Sequence, residues 1–95
     1  MHIITRKRLN DFAKVHSDCA AGLVQWFYEM RRANFSNIQE VRGVFPHADK
    51  VGKFTVFNIG VNKARLIAAI HYNRKKVYIR HVLTHVEYDK GAWKK

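Results

Sequence analysis

Apolar positions recur with two different periods, and the change from one to the other divides the chain. A short run at residues 2–5 has strand character. Behind it, Leu9, Phe12, Ala13 and His16 fall at helical spacing, which predicts a helix over residues 6–16 with Thr5 as its cap. A second helical pattern starts at Ser17-Asp18 and runs to about residue 33. Its stripe is Ala20, Leu23, Val24, Phe27 and Met30, with Glu29, Arg31 and Arg32 facing outward. The two patterns nearly touch, so they predict a helical hairpin. Ser36 with Gln39 has the form of a capping box for a short third helical turn through about residue 42. Gly43 and Pro46 end it, and a loop follows to Gly52.

From residue 54 the period shortens. Residues 54–59, 65–72 and 77–83 are β-branched and aromatic, separated by turn signals at Gly60-Val61-Asn62 and at residues 73–75. Short turns between consecutive strands predict an antiparallel meander. Thr84 and Glu87 then form a second capping box, opening a short C-terminal helix. The order β-α-α-β-β-β-α predicts an α+β fold in which an N-terminal helical hairpin packs on one face of a twisted antiparallel sheet, leaving the other face partly open. Ninety-five residues with 47% apolar side chains suit one domain, residues 1–95, and one core.

Charge changes this picture most. Eighteen Lys and Arg against seven Asp and Glu give a net +11, beyond the magnitude of about 2–8 that solubility asks of a small domain. Residues 48–95 hold eleven of the basic groups and three of the acidic ones, and no acidic side chain lies between Lys50 and Val86. The excess points to a polyanionic partner. Cys19 is the single cysteine, which excludes an intrachain disulfide and fits a reducing compartment. No stretch has the length or apolarity of a signal sequence or a membrane span, so a cytoplasmic location with no membrane partner is expected.

Alternation puts Arg65, Ile67, Ala69 and His71 on one face of their strand, and Tyr78, Arg80, Val82 and Thr84 on one face of the last strand. Arg65, Arg80, Lys53 and Lys63 would then gather at an open end of the sheet. There they could neutralise phosphates and stabilise charge developing on a cleaved phosphodiester. Lys50, in the loop before the meander, and Asn58 are further RNA-contact candidates. The turn Arg74-Lys75-Lys76 reads first as a solvated edge, with Lys76 kept as a backbone contact.

Thr84-His85-Val86-Glu87-Tyr88-Asp89 has a bland reading, in which Thr84 and Glu87 cap and Tyr88 packs. The chemical reading gives His85, at a helix start that attracts anions, a proton-transfer role on the 2′-hydroxyl or the leaving 5′-oxygen. Tyr88 would stack on a splayed base. His81 and His85 are four apart but straddle a strand-to-helix boundary, so no metal site and no cofactor are expected. His2, His16, His47 and His71 read as packing or surface residues, Cys19 as a small buried side chain, and Trp26 as core or interface. Trp93 reads as an exposed tail residue, there for a base, a partner protein or no role.

Taken together, Met1-His2-Ile3-Ile4-Thr5, Val44-Phe45-Pro46, Val56-Phe57-Asn58-Ile59-Gly60, Asn62-Lys63-Ala64-Arg65-Leu66, Tyr78-Ile79-Arg80 and Thr84-His85-Val86-Glu87-Tyr88-Asp89 resemble the HigB family of toxins over nearly the whole chain. The resemblance implies a RelE-like fold and cleavage of mRNA on the ribosome by attack of the 2′-hydroxyl without a metal. It also implies inhibition by a helix-turn-helix, HigA-like antitoxin encoded beside the toxin. The toxin would be monomeric when free and hetero-oligomeric with that antitoxin. RelE-like toxins work with lysines on the first meander strand, an arginine on the second, and basic and aromatic groups after the third. Arg65 matches the arginine, and His85 with Tyr88 the last group. Val56 and Asn58 stand where RelE has lysines, which makes His85 the preferred proton carrier. Two other readings share the charge pattern: a non-catalytic RNA- or ribosome-binding module, and a ParE-like gyrase inhibitor on the same fold.

Overall fold

The computed structural model describes residues 1–61 and 63–94. Asn62, part of one turn signal and of the resemblance, and Lys95 lie outside the described residues. The strand β1 (His2–Ile4) leads into the helices α1 (Lys7–Val15) and α2 (Ala20–Arg32), joined by a 3-10 turn at Ser17–Cys19. Then come the helix α3 (Ile38–Val44), the strands β2 (Asp49–Val51), β3 (Phe54–Ile59), β4 (Ala64–His71) and β5 (Lys76–Thr84), and the helix α4 (His85–Lys90). A 3-10 turn at Ala92–Lys94 follows.

The helical hairpin and the meander form as expected, in an α+β arrangement. The sheet differs from the expectation in two ways. Its order is β1-β5-β4-β3-β2, and β1 runs parallel to β5, so the sheet is mixed. β2 occupies residues read as loop and pairs antiparallel with β3. Three residues, exposed at Asp49 and Lys50 and half-buried at Val51, carry too short a pattern to separate a strand from a loop.

Helix boundaries moved where local chemistry overrode the pattern. Thr5 does not cap α1: it takes a left-handed conformation, φ 71°, between β1 and the helix. For α3 the cap is Asn37, whose side chain accepts from Glu40 N, and Glu40 in turn accepts from Ser36 N. The cap therefore lies one residue later than Ser36 and Gln39 suggested, and the returning bond reaches Ser36 N, the residue before the cap. In α2 the inward residues are Leu23, Trp26, Phe27 and Met30, while Val24 is half exposed. Trp26 is buried with them, and its indole meets Phe57 edge-on at 5.5 Å.

These side chains join Leu9, Leu66, Ala68, Val77 and Ile79 in one core between the helices and the sheet. The helical layer comes close because Gly22 faces the β3–β4 turn. A Cβ there would sit 3.0 Å from the Gly60 nitrogen. Cys19 is buried in the same region, and burial pushes its thiol pKa up, in keeping with an inert packing residue. Lys75 is no solvated turn residue. Its ammonium donates to Phe35 O at 2.8 Å and Ser36 Oγ at 3.2 Å, tying the β4–β5 turn to the α2–α3 linker. Among the described residues no helix is long and apolar enough to cross a membrane.

The face away from α1 and α2 carries a second, smaller cluster of Val56, Ile67 and Trp93, flanked by Phe54, Leu83 and Tyr88. Trp93 is thus not a free tail residue. It is 6% exposed, its indole donates to Tyr88 O at 3.1 Å, and it stacks on the Tyr88 ring at 5.2 Å.

Candidate active site

Arg65 is held by strands on both sides, opposite Asn58 of β3 and Leu83 of β5. Its side chain emerges on the open face, where α4 packs against the end of the sheet. The guanidinium lies over the Tyr88 ring, 5.6 Å from its centroid, and Nη1 donates to Ala64 O at 3.2 Å. Arg65 as a whole is only 9% exposed, yet with Tyr88, Asn58, Val56, Arg42 and His47 it lines a surface hollow. A cation sunk this far, in contact with an aromatic ring and open toward one hollow, is weakly hydrated and suited to receive an anion.

The capping box that fixes α4 is complete. Glu87 N donates to Thr84 Oγ1 at 3.2 Å, and Thr84 N donates to Glu87 Oε1 at 3.0 Å. The bond from the Thr84 amide first, and then the Thr84 hydroxyl, hold the Glu87 carboxyl below the usual carboxylate range. The amide of His85 donates to Lys63 O at 3.1 Å. The helix start is thus occupied by its own partners and is not the open anion site expected for it.

The His85 side chain has a different partner: its Nδ1 is 2.9 Å from Oδ2 of Asp89, one turn later. A neutral imidazole donating from Nδ1 leaves Nε2 as an acceptor. His85 is partly exposed. It is placed beside the site by the register, since Thr84 lies opposite Ala64, next to Arg65. It is not among the side chains lining the hollow.

The other expected residues scatter. Arg80 is displaced by a bulge: Ile67 pairs with His81 but Ala68 with Ile79, which leaves Arg80 as the extra residue. Its guanidinium stands over Tyr78 at 5.6 Å, away from Arg65, and Val82 turns to the helix side. Lys63 faces Asp18 at 3.3 Å. Lys53 lies over Phe54 at the β2–β3 turn, and with Lys50 it lines a separate hollow beside Tyr72. Lys76 starts β5, at the end opposite Thr84. So Arg65, Asn58 and Tyr88 converge, His85 is adjacent, and Arg80, Lys50, Lys53, Lys63 and Lys76 are elsewhere.

Arg42 and His47, which the pattern along the chain does not single out, also line the hollow. Arg42 donates from Nε to Ala48 O at 3.0 Å, which places it on the wall of the hollow. His47 was read as a bland surface residue, and nothing in a loop of unknown path marks it otherwise. Among the described residues no group of three or more His, Cys, Asp or Glu is arranged to hold a metal.

Comparison with known proteins gives the same direction. The family model described as HigB_toxin, RelE-like toxic component of a toxin-antitoxin system, matches residues 19–91. The chain is 36% identical over 92 residues to the mRNA interferase toxin HigB of Escherichia coli strain K12, covering 94% of this chain and 88% of that protein. The mRNA interferase HigB of Shigella flexneri shows the same identity and coverage. That of Escherichia coli O6:H1 is 31% identical over 93 residues, covering 95% of this chain and 90% of its own. With a match of this extent and a basic hollow on the open face of the sheet, the chain belongs to the HigB family of RelE-like toxic components of toxin–antitoxin systems.

Proposed function

We propose that this protein is an mRNA interferase that cuts RNA by transesterification at the Arg65 hollow, acting in the cytoplasm on ribosome-bound message. The observation that carries the reading is the guanidinium of Arg65, sunk over Tyr88 at the floor of an accessible hollow in the strongly basic half of the chain. RNA carries its own nucleophile. The 2′-oxygen attacks the adjacent phosphorus, the bond from phosphorus to the 5′-oxygen breaks, and a 2′,3′-cyclic phosphate and a 5′-hydroxyl result.

The protein's tasks are then to place the phosphate, stabilise the phosphorane and move two protons. Arg65 holds the doubly charged phosphorane oxygens. Asn58, its neighbour across the strand pair, and Arg42 position the backbone. His85, oriented through Nδ1 by Asp89, takes the 2′-hydroxyl proton at Nε2. His47, on the wall of the hollow, gives a proton to the leaving oxygen. Tyr88 already stacks on Trp93, so it serves as the seat of the guanidinium and offers a base only what Trp93 leaves free. No step in this scheme requires a metal. A helix-turn-helix antitoxin would silence a free, monomeric toxin by covering this basic surface with acidic side chains.

The test is induction of the wild type, Arg65→Ala and His85→Ala without an antitoxin, followed by mapping of transcript 5′ ends. Wild type should arrest growth and create new ends. Arg65→Ala should lower cleavage about 10²–10³-fold, as loss of a transition-state charge partner does, and His85→Ala about 10²-fold or more. Growth arrest with no new ends would overturn the nuclease reading in favour of a pure binder. Undiminished toxicity of both variants would overturn the residue assignment.

A further inference from the structure

The hollow over Arg65 continues around the edge of the sheet. β2 pairs with β3 only as far as Val56, so residues 57–59 have no strand beside them on that side. There the segment 44–48 bridges from α3, and beneath it a cavity of about 270 Å³ opens against α2. Pro46, His47, Ala48 and Asn58 line both this cavity and the Arg65 hollow, so the two are one track. The aromatic side of the cavity is the half-buried Phe45, backed by the buried Phe57 at 5.1 Å, which in turn meets Trp26 edge-on at 5.5 Å. Its far wall is one face of α2, where Gln25 and Glu29 sit one turn apart.

Glu29 is unlike the other acidic residues near this surface. Asp11, Asp18 and Asp89 face Lys7, Lys63 and His85, Glu40 and Glu87 cap helices, and Asp49 lies on β2 in the Arg65 hollow, outside the cavity that Glu29 lines. Among the described residues Glu29 has no cation within ion-pair distance. Gln25 Nε2 donates to its Oε1 at 3.0 Å, fixing the carboxylate without neutralising it. A carboxylate kept charged on a track suited to phosphates does not serve phosphate binding. It accepts hydrogen bonds, and two parallel ones at most strength.

An aromatic side, single-base volume and a polar edge are what an unstacked nucleobase requires. Of the four bases, guanine presents two adjacent donors, N1–H and the 2-amino group, on its Watson–Crick edge. Adenine, cytosine and uracil present one donor beside an acceptor, which a carboxylate repels.

We propose that this cavity takes one unpaired base of the RNA, next to the nucleotide whose phosphate lies on Arg65, and that Glu29 held by Gln25 selects guanine there. The proposal rests on the nuclease reading and deepens it. Transcript 5′ ends are mapped after induction of the wild type, Glu29→Gln, Glu29→Ala and Gln25→Leu, with Arg65→Ala as control. In the wild type, cuts carry an excess of guanine at one fixed position beside the break. Both Glu29 variants lower the guanine preference there about tenfold or more, as loss of a bidentate base contact does, while total cleavage stays within a few-fold. Gln25→Leu, which frees the carboxylate, lowers it less.

Glu29 and Gln25 lie on the outer part of α2, and unchanged melting temperatures check that the variants fold. A wild type without guanine excess at any fixed position overturns the proposal. So does an unchanged guanine excess in both Glu29 variants, or a Glu29 defect confined to neutralisation by the antitoxin. In each of these cases Arg65-dependent cleavage leaves the nuclease reading standing. Cutting by Arg65→Ala at the wild-type rate overturns that reading instead.

Discussion

On the face of the sheet turned to α1 and α2, Leu66, Ala68, Val77 and Ile79 are sealed from solvent and join a core reaching Trp26 and Met30. One residue along in the same β4 strand, Arg65 and Ile67 face the other way, into a cluster closed chiefly by Trp93 and Tyr88. The two faces share a backbone but not a duty. The helix-covered face supplies the apolar burial that offsets chain entropy. The open face leaves a charged side chain on a rigid strand with one side toward water. Placement of the Arg65 Cα is thus secured by two ladders and by the opposite face, while its guanidinium lies over Tyr88 at the hollow. Stability and activity should accordingly be separable by changing neighbours in sequence.

The sharpest way to break this contrast is Leu66→Ala beside Arg65. Leu66 has no exposure and packs with Trp26 and Val82 on the helix side, so truncation should cost about 2–5 kcal/mol of stability in a denaturant titration. The activity of the fraction that remains folded should stay near wild type. Loss of cleavage with stability intact would mean that the two faces are not independent.

Trp93→Ala is the mirror experiment. The indole is as buried as a core residue, but it closes a thin cluster at the surface, which can collapse. We expect about 1–2 kcal/mol, below the range of about 3–5 for a large aromatic in a deep core. Cleavage should fall about tenfold, because Trp93 backs the Tyr88 ring on which Arg65 sits. A stability loss equal to that of Leu66→Ala would place the open face on the same footing as the core.

Legibility from sequence follows the same division. The helical hairpin, the three meander strands and the Thr84–Glu87 capping box were readable because each rests on local chemistry or period. Arg65 was readable too, as a charge flanked by apolar strand residues. What failed needed non-local information. The bulge at Arg80 shifts the face of everything N-terminal to it in β5, and alternation alone gives no sign of it. β1 joins β5 in parallel across the whole chain, a pairing no short turn announces. Lys50, Lys53 and Lys76 are close to Arg65 in charge statistics but not in space, and Lys63, two residues before it, turns its ammonium to Asp18, because net charge carries no coordinates. Arg42 and His47 reach the hollow only through the path of residues 44–48 around the sheet edge.

A smaller effect sharpens the chemistry of the open face. Asp89→Asn keeps the shape next to His85 but gives its Nδ1 a weaker partner. Both side chains are substantially exposed, and water screens the pair, so cleavage should fall only a few-fold. A cleavage rate equal to wild type would remove Asp89 from the orientation of His85.

The smallest expected effect concerns His81, on the open side of β5. Burial depresses its pKa first, and Arg8 from α1 and Arg80 beside it add to that; Glu87 and Lys90 of α4 share its surroundings. The unfolded chain then binds a proton at a higher pH than the folded one. Stability from this group is full above the unfolded value of about 6.5 and declines as pH falls toward the lower folded value. His81→Gln should flatten this slope by a fraction of a kcal/mol between about pH 7 and 5, measured by urea titration at each pH. The depressed Glu87 carboxyl acts in the same sense but at lower pH, since its contribution is lost only as the folded carboxylate protonates. The two are therefore separated along the pH axis, and a His81→Gln slope identical to wild type near pH 6 would show that the imidazole is hydrated as freely as in the unfolded chain.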